Sequence, residues 1–262
     1  MKNEKMKIVS FNLRCCWRQD EQNAFVCRAG LIYEKITAEL PEIIAFQEVV
    51  PQSLEILQRT LPEYEFFGSM RESNFAGEGL YTAFRKDTFA LMASDVFWLS
   101  PTPYIPASRF EKQSYCPRVC ISVKLRNLKT METCRVINVH LDHESDEARK
   151  LGLQCIYEYI HRQDGVGKQP TVMLGDFNAT PDTETMQSVF AQAWLFEASQ
   201  QITGTTFHVF GKRTDCKIDY IFVTEEWKNR VANACTWTDE YSGTYLSDHY
   251  PVCVEFTNNQ GE

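Results

Sequence analysis

Ten short runs of β-branched and aromatic residues, each closed by turn-forming residues, set the narrowest limit on what this chain can fold into. They are Lys7–Leu13, Glu42–Val49, Tyr64–Ser69, Leu80–Arg85, Phe89–Leu99, Val119–Leu125, Cys134–His140, Thr171–Gly175, Ile218–Val223 and Val252–Phe256. An open twisted sheet rarely grows past about ten strands without curling or splitting. The runs therefore predict two packed sheets. Three stretches carry a helical period instead. Asp20–Leu40 keeps Phe25, Leu31, Ile32 and Ile36 on one side and stops at Pro41. Pro51–Leu61 opens on a proline in the first helical position and is closed by Pro62. Ser145–Arg162 starts with a capping serine and with Asp146 and Glu147 where the helix dipole favours acids. Strand and helix alternate early and hairpins follow, so the expected class is α/β, with helices outside the two sheets.

The polar residues fall at the ends of these runs. IVSFN ends on Asn12, IIAFQE on Glu48, VINVH on His140, and VMLGDFN on Asp176 and Asn178; Asp219 heads YIFV, and Asp248 and His249 precede the last strand. One such residue reads as a turn or a cap. The same habit in six segments reads as a site, because loops at strand ends converge over a rigid scaffold. Glu48, Asp176 and Asp248 are hard oxygen donors suited to Mg²⁺ or Mn²⁺. Asn12 and Asn178 can bond a phosphate oxygen or a water without adding negative charge, and His140 and His249 can donate to phosphoryl oxygens. A neighbouring acid such as Asp219 would fix one imidazole tautomer and favour its protonated form. No serine nucleophile elbow, P-loop or dinucleotide-binding glycine pattern is present.

Composition narrows the partners. A net charge of −8 weakens a reading as a duplex-DNA binder, which ordinarily leaves a basic footprint, although acids around a metal contribute to that charge. No run approaches the roughly 18 apolar residues of a membrane-spanning helix. The opening MKNEKMKIVSFN passes straight into a strand and lacks a signal peptide's apolar stretch. The ten cysteines include no C-x-x-C pair, and several fall in apolar patterns, so reduced thiols and a cytoplasmic location are expected. No linker, repeat or low-complexity tract divides the 262 residues, and one domain with its core over about residues 7–256 is expected.

Taken in order, SFNLR, FQEV, NVHLDH, GDFN at Gly175–Asn178, IDYIF from Ile218 and SDHYPV from Ser247 resemble the endonuclease/exonuclease/phosphatase superfamily. That is the fold of pancreatic-type deoxyribonuclease, abasic-site endonucleases, neutral sphingomyelinases and inositol-polyphosphate phosphatases. The likeness runs from Lys7 to about Phe256 and is closest to compact bacterial members. It implies a four-layered α-β-β-α sandwich, two packed mixed sheets flanked by helices. It also implies Glu48 as principal metal ligand with Asn12 and Asp248, Asp176 acting on the attacking water with Asn178 beside it, Asp219 paired to His249, and His140 on the phosphoryl group. Glu78 either supports the His140 side or is a solvated loop carboxylate. One departure counts against abasic-site repair: Arg14 stands where those enzymes generally carry an acid, two residues after the first Asn. Neither a disulfide framework nor an apolar insertion hairpin supports a secreted deoxyribonuclease or a sphingomyelinase.

Two cationic loops bear on substrate. Arg109, Lys112 and Arg118 with Phe110 and Tyr115, and Lys212, Arg213 and Lys217 ahead of Asp219, could meet phosphates and stacked rings or be ordinary solvated loops. His143 and His161 read as structural or exposed, and His208 as structural or turned to the site. The expected function is a divalent-metal-dependent phosphodiesterase or nuclease, endo- or exo-acting, for single-stranded or short nucleic acid. A phosphomonoesterase or small-molecule phosphodiesterase for sugar phosphates, nucleotides or lipid head groups stands beside it. A non-catalytic binding protein is disfavoured, because every position of the motif series is filled. No obligate protein partner is expected.

Overall fold

The computed structural model describes residues 5–16 and 18–257. Its first half runs β1 (Lys5–Asn12), α1 (Phe25–Glu39), β2 (Ile43–Val49), α2 (Pro51–Thr60), β3 (Tyr64–Met70), β4 (Gly79–Arg85) and β5 (Phe89–Trp98). Then come β6 (Val119–Asn127), β7 (Thr133–His140), α3 (Asp146–Asp164), β8 (Thr171–Asp176), α4 (Glu184–Phe190), β9 (Leu195–Glu197) and β10 (Asp219–Thr224). The last part holds α5 (Glu225–Lys228), β11 (Val231–Thr236), β12 (Glu240–Tyr241), β13 (Thr244–Tyr245) and β14 (Val252–Thr257).

Two six-stranded sheets result, ordered β11-β14-β1-β2-β4-β3 and β5-β6-β7-β8-β10-β9. Each has one parallel pair at its centre, β1 with β2 and β7 with β8, and antiparallel neighbours elsewhere. A parallel pair needs a crossover, and α1 and α3 supply the two crossovers. Strands covered on both faces read as largely apolar runs, which is why IVSF, IIAF, VINV and VML carry no polar residue but Ser10 and Asn138. Ile8, Ile43, Val136 and Leu174 turn to the partner sheet and share one core. Val9, Ile44 and Phe46 turn outward to Phe25, Ile32 and Ile36 of α1 and Leu57 of α2. Ile137, Val139 and Met173 meet Leu153, Ile156 and Ile160 of α3 and Met186 and Val189 of α4. Three apolar layers separate four structural ones: helices, sheet, sheet, helices.

The parallel pairs fix where chemistry can gather. Asn12, Glu48, His140 and Asp176 sit at the C-terminal ends of β1, β2, β7 and β8. The antiparallel neighbours begin at that same end: Asp219 is opposite Asp176 in the β10–β8 register, and Ser10 of β1 is opposite Val252, just after His249. Polar residues accumulate at one edge because six chain segments terminate or start there.

The structure differs from expectation in places. The helix expected from Asp20 begins at Phe25, after a 3₁₀ turn over Arg18–Asn23 that is broken at Glu21, where φ is 49°. Beyond the expected strands it adds β9, β11, β12 and β13, and beyond the expected helices α4 and α5. The two-residue strands β12 and β13 are too short to show a period, and VANACT in β11 lacks an apolar stripe because none of its residues is fully buried and half are exposed. No helix among the described residues is long and apolar enough to cross a membrane.

Candidate active site

Glu48 occupies a break in the sheet. The β2–β4 register shifts between Phe46 and Val49, and Glu48 has φ 55°, left-handed for a residue with a Cβ. The bulge turns the carboxylate to the sheet edge, where Oε1 accepts from Asn12 Nδ2 at 3.1 Å and Oε2 from the Cys15 N–H at 3.0 Å. Burial works to raise the pKa of Glu48, but the His249 ring, the two donors and Arg14 outweigh it and hold the carboxyl below its ordinary value. Just behind it, Gln47 Nε2 reaches Asn138 Oδ1 of the other sheet at 2.9 Å, and Asn138 Nδ2 donates to Phe46 O and Tyr81 O at 3.1 and 3.2 Å. This buried amide pair fixes the distance between the sheets one residue from Glu48.

Asp176 stands at the centre. Oδ1 accepts from the Asn178 N–H at 2.8 Å, and Oδ2 from Asn12 Nδ2 at 3.0 Å, with His140 Nε2 at 3.5 Å and His249 Nε2 at 3.8 Å. Burial, then the nearby Asp219, pushes its carboxyl up to about 7. The preceding Gly175 has φ 147°, and a Cβ there would lie 1.9 Å from Val139 O. Only glycine lets β8 pass β7 so closely. Asn178, at φ 48°, donates its side-chain Nδ2 to Leu141 O at 3.0 Å and so braces the loop that carries Asp176.

The two histidines face opposite electrostatic settings. His249 Nδ1 bonds Asp219 Oδ2 at 2.9 Å. Burial alone would depress that ring, but Asp219, Asp176 and Asp248 raise it to about 10, so it is cationic at neutral pH. His140 is held well below its ordinary value by burial and by Arg118 and Arg71, and is neutral. Asp248 is raised by burial and by Glu48, against the pull of His249, and its Oδ2 lies 3.7 Å from Arg14 Nη1. Asn12, His140, Asp176, Asp219, Asp248 and His249 are all buried, and Glu48 is half-buried.

The structure therefore brings the eight principal residues to one edge and sorts the remaining candidates. Glu78 is half-buried and paired with Arg71 at 2.7 Å, beside Glu48 and Cys15, so it is not a free loop carboxylate, and it lines one small recess with His140. Arg118 is buried, bonds His143 Nδ1 at 2.9 Å, and lines a small recess with Glu48, Arg71, Glu78 and His140. Arg109 is exposed and donates to Ser114 O at 3.1 Å within its own loop. Lys112 pairs with Glu147, Arg213 with Asp215, and Lys212 is exposed. Lys217 is withdrawn from any phosphate: it is buried against Glu197 at 2.6 Å and Ile202 O at 2.7 Å. His208 is a packing residue, stacked 3.7 Å from Tyr250 with Nδ1 accepting from the Gly211 N–H. His161 packs on Trp194.

Four supporting residues escaped sequence reasoning. Arg71 lies in no motif. Arg28 reads as an ordinary helix residue, yet it is fully buried and donates to Asn23 O, Leu246 O and Arg14 O, tying α1 to the loops that carry Arg14 and Asp248. Gln47 and Asn138 sit inside apolar strand runs, and an amide in such a run was the one available signal.

The family model for the endonuclease/exonuclease/phosphatase family matches residues 9–249. The fold is similar to that of an endonuclease/exonuclease/phosphatase from Bacteroides vulgatus, with TM-score 0.85 and 26% identity over 96% of this chain and 98% of that one. A mannosyl-6-phosphatase from Bacteroides thetaiotaomicron superposes with TM-score 0.86 and 22% identity, covering 97% of this chain and all (100%) of that one. D. rerio TDP2, determined with a single-strand DNA product, shares the fold at TM-score 0.76 and 17% identity, covering 97% and 100%.

Proposed function

The chain belongs to the endonuclease/exonuclease/phosphatase family, and from that premise we propose that it is a divalent-metal-dependent phosphoesterase that hydrolyses phosphodiesters by direct attack of water. The observation that carries this reading is the setting of Asp176. It is a carboxylate poised near neutrality, gripped by Asn12 and the Asn178 N–H, between a neutral and a cationic histidine.

The donor set fits a hard cation. Glu48, Asp176 and Asp248 crowd one buried edge, and burial and neighbouring acids raise the carboxyl pKa of the latter two, an excess of negative charge that a divalent ion offsets. Glu48 and Asp248 would hold Mg²⁺ or Mn²⁺, with Asn12, whose Oδ1 accepts from the Arg14 N–H at 2.9 Å and keeps a second lone pair. When bound, such an ion polarises a phosphoryl oxygen and neutralises charge developing on it.

The chain's own groups do the remainder. Asp176 orients the attacking water and accepts its proton on Oδ2. His249, fixed through Nδ1 by Asp219, presents its Nε2 proton to the phosphoryl or leaving oxygen. Neutral His140, backed by Arg118, binds the phosphoryl group from the other side. Engaged loop cations and an acidic balance favour small, single-stranded or short substrates over a duplex. A second reading, a phosphomonoesterase, draws on the buried Arg118 beside His140, a cation placed to meet the extra charge of a dianion, and on the likeness to a mannosyl-6-phosphatase.

Hydrolysis of bis-p-nitrophenyl phosphate should vanish in EDTA and return with Mg²⁺ or Mn²⁺, and Glu48→Gln should remain folded by circular dichroism with its rate lost. Full activity in EDTA overturns the metal mechanism. Faster turnover of p-nitrophenyl phosphate or sugar phosphates than of any diester or oligonucleotide would select the second reading.

A further inference from the structure

The acids at the sheet edge open onto a cleft that the derived reaction leaves unused. It lies between the starts of α1 and α2 and the connection from β3 to β4, and measures about 650 Å³. Cys16, Phe25, Val26, Val50 and Ile56 form an apolar wall, and Cys15, Arg71 and Glu78 form its inner end. That inner end adjoins the site: the ligand atoms of Cys15 and Glu78 lie within 4.8 Å of that of Glu48. Val26, in the first turn of α1, is left 73% exposed there.

Charge separates two classes of occupant. The ionic groups lining the cleft are Glu72, Glu78 and Arg71, and Arg71 is engaged by both acids, at 3.6 and 2.7 Å. Two acids against one occupied cation repel a run of phosphates, whereas an uncharged apolar group meets a wall that gains by being covered. A cleft of several hundred cubic ångströms with an apolar lining and a few polar groups at one end is the usual form of a small-molecule site.

Resting on the reading of the adjoining edge as a phosphoesterase site, we infer that this cleft receives the alcohol portion of the substrate, and that this portion is a neutral apolar alkyl or aryl group. The substrate is then a small amphiphile, with its phosphate at Glu48 and its apolar part against Val26 and Ile56.

Non-hydrolysable alkylphosphonates test this without turnover. Calorimetry in Mg²⁺ with methyl-, butyl-, hexyl- and octylphosphonate should show Kd falling roughly three- to fourfold per methylene until the cleft is filled. In Val26→Thr with Ile56→Thr the dependence on chain length should drop to half or less, with methylphosphonate bound as before. Val26→Thr alone, at an exposed position, should show a smaller drop in the same direction and covers the case in which the double variant misfolds. A Kd independent of chain length, or a dependence unchanged in the variants, overturns the inference. That outcome differs from failure of the phosphoesterase reading, in which methylphosphonate would not bind and no phosphate ester would be hydrolysed.

Discussion

Asp219 Oδ2 and His249 Nδ1, 2.9 Å apart in a buried setting, behave as one group, since the acid both selects the ring tautomer and supports its charge. Losses on removing members of such a unit do not multiply. Asp219→Asn and His249→Ala should each slow hydrolysis of a common phosphodiester by roughly 10²–10⁴-fold. The double variant should be scarcely slower than His249→Ala. Multiplying losses, or a near-wild-type Asp219→Asn, would reduce Asp219 to a residue that heads its strand. Both partners were legible in the sequence, because each is a charged residue breaking an apolar run. Gln47 and Asn138 were not: an uncharged amide inside a strand gives no sign of whether it faces solvent or, as here, bonds its counterpart across the two sheets. Arg28 was hidden for the related reason that its three acceptors are backbone carbonyls, which carry no sequence signature.

At the scale of elements, the edge is made by backbone departures as much as by strands. Glu48 projects from a bulge, and Asp176 follows a glycine whose backbone no other residue adopts without strain. Gly175→Ala forces a Cβ to 1.9 Å from Val139 O, so β7 and β8 must separate or the peptide must turn, and either displaces Asp176 from Asn12 and the histidines. The cost should be on the order of 3 kcal/mol, read as a fall in Tm of roughly 6–12 °C for a chain of this size, with activity lost even well below the new Tm. Gly30→Ala is the contrast: nothing lies within 4 Å of its added methyl, it sits inside α1, and it should raise stability by about 0.5–1 kcal/mol. Equal effects from the two substitutions would remove the argument from close approach. The strand pairs around these breaks were readable because burial on both faces enforces largely apolar runs. The edge elements β9, β11, β12 and β13 were not, since partly exposed or very short strands impose little on their residues.

For the whole molecule, the site lies on a seam. Asn12 of the first sheet donates to Asp176 of the second, and Gln47 bonds Asn138 across the same gap, so the site's geometry and the docking of the two sheets are one property. The sequence showed six segments ending in polar residues, but not that two parallel pairs, one per sheet, would point them to a single edge; that follows from the crossovers through α1 and α3. The seam also carries a cost. Burial and neighbouring acids raise the carboxyl pKa of Asp176 and Asp248, so their charged forms are less favourable in the folded chain than in the unfolded one, and the penalty grows as pH rises through the range where they ionise. A cation at this edge offsets that penalty and binds only where the acids are gathered, so it should stabilise the fold by mass action. Mg²⁺ or Mn²⁺ at about 100 times its Kd would add about 2.7 kcal/mol, a rise in Tm of roughly 5–10 °C by calorimetry. The rise should depend on metal concentration, reverse with EDTA, and be largely absent in Glu48→Gln, which keeps the seam but lacks the principal ligand. A Tm unmoved by metal in the wild type would mean that Arg14, already 3.7 Å from Asp248, together with the cationic His249 ring, balances these acids without a divalent ion.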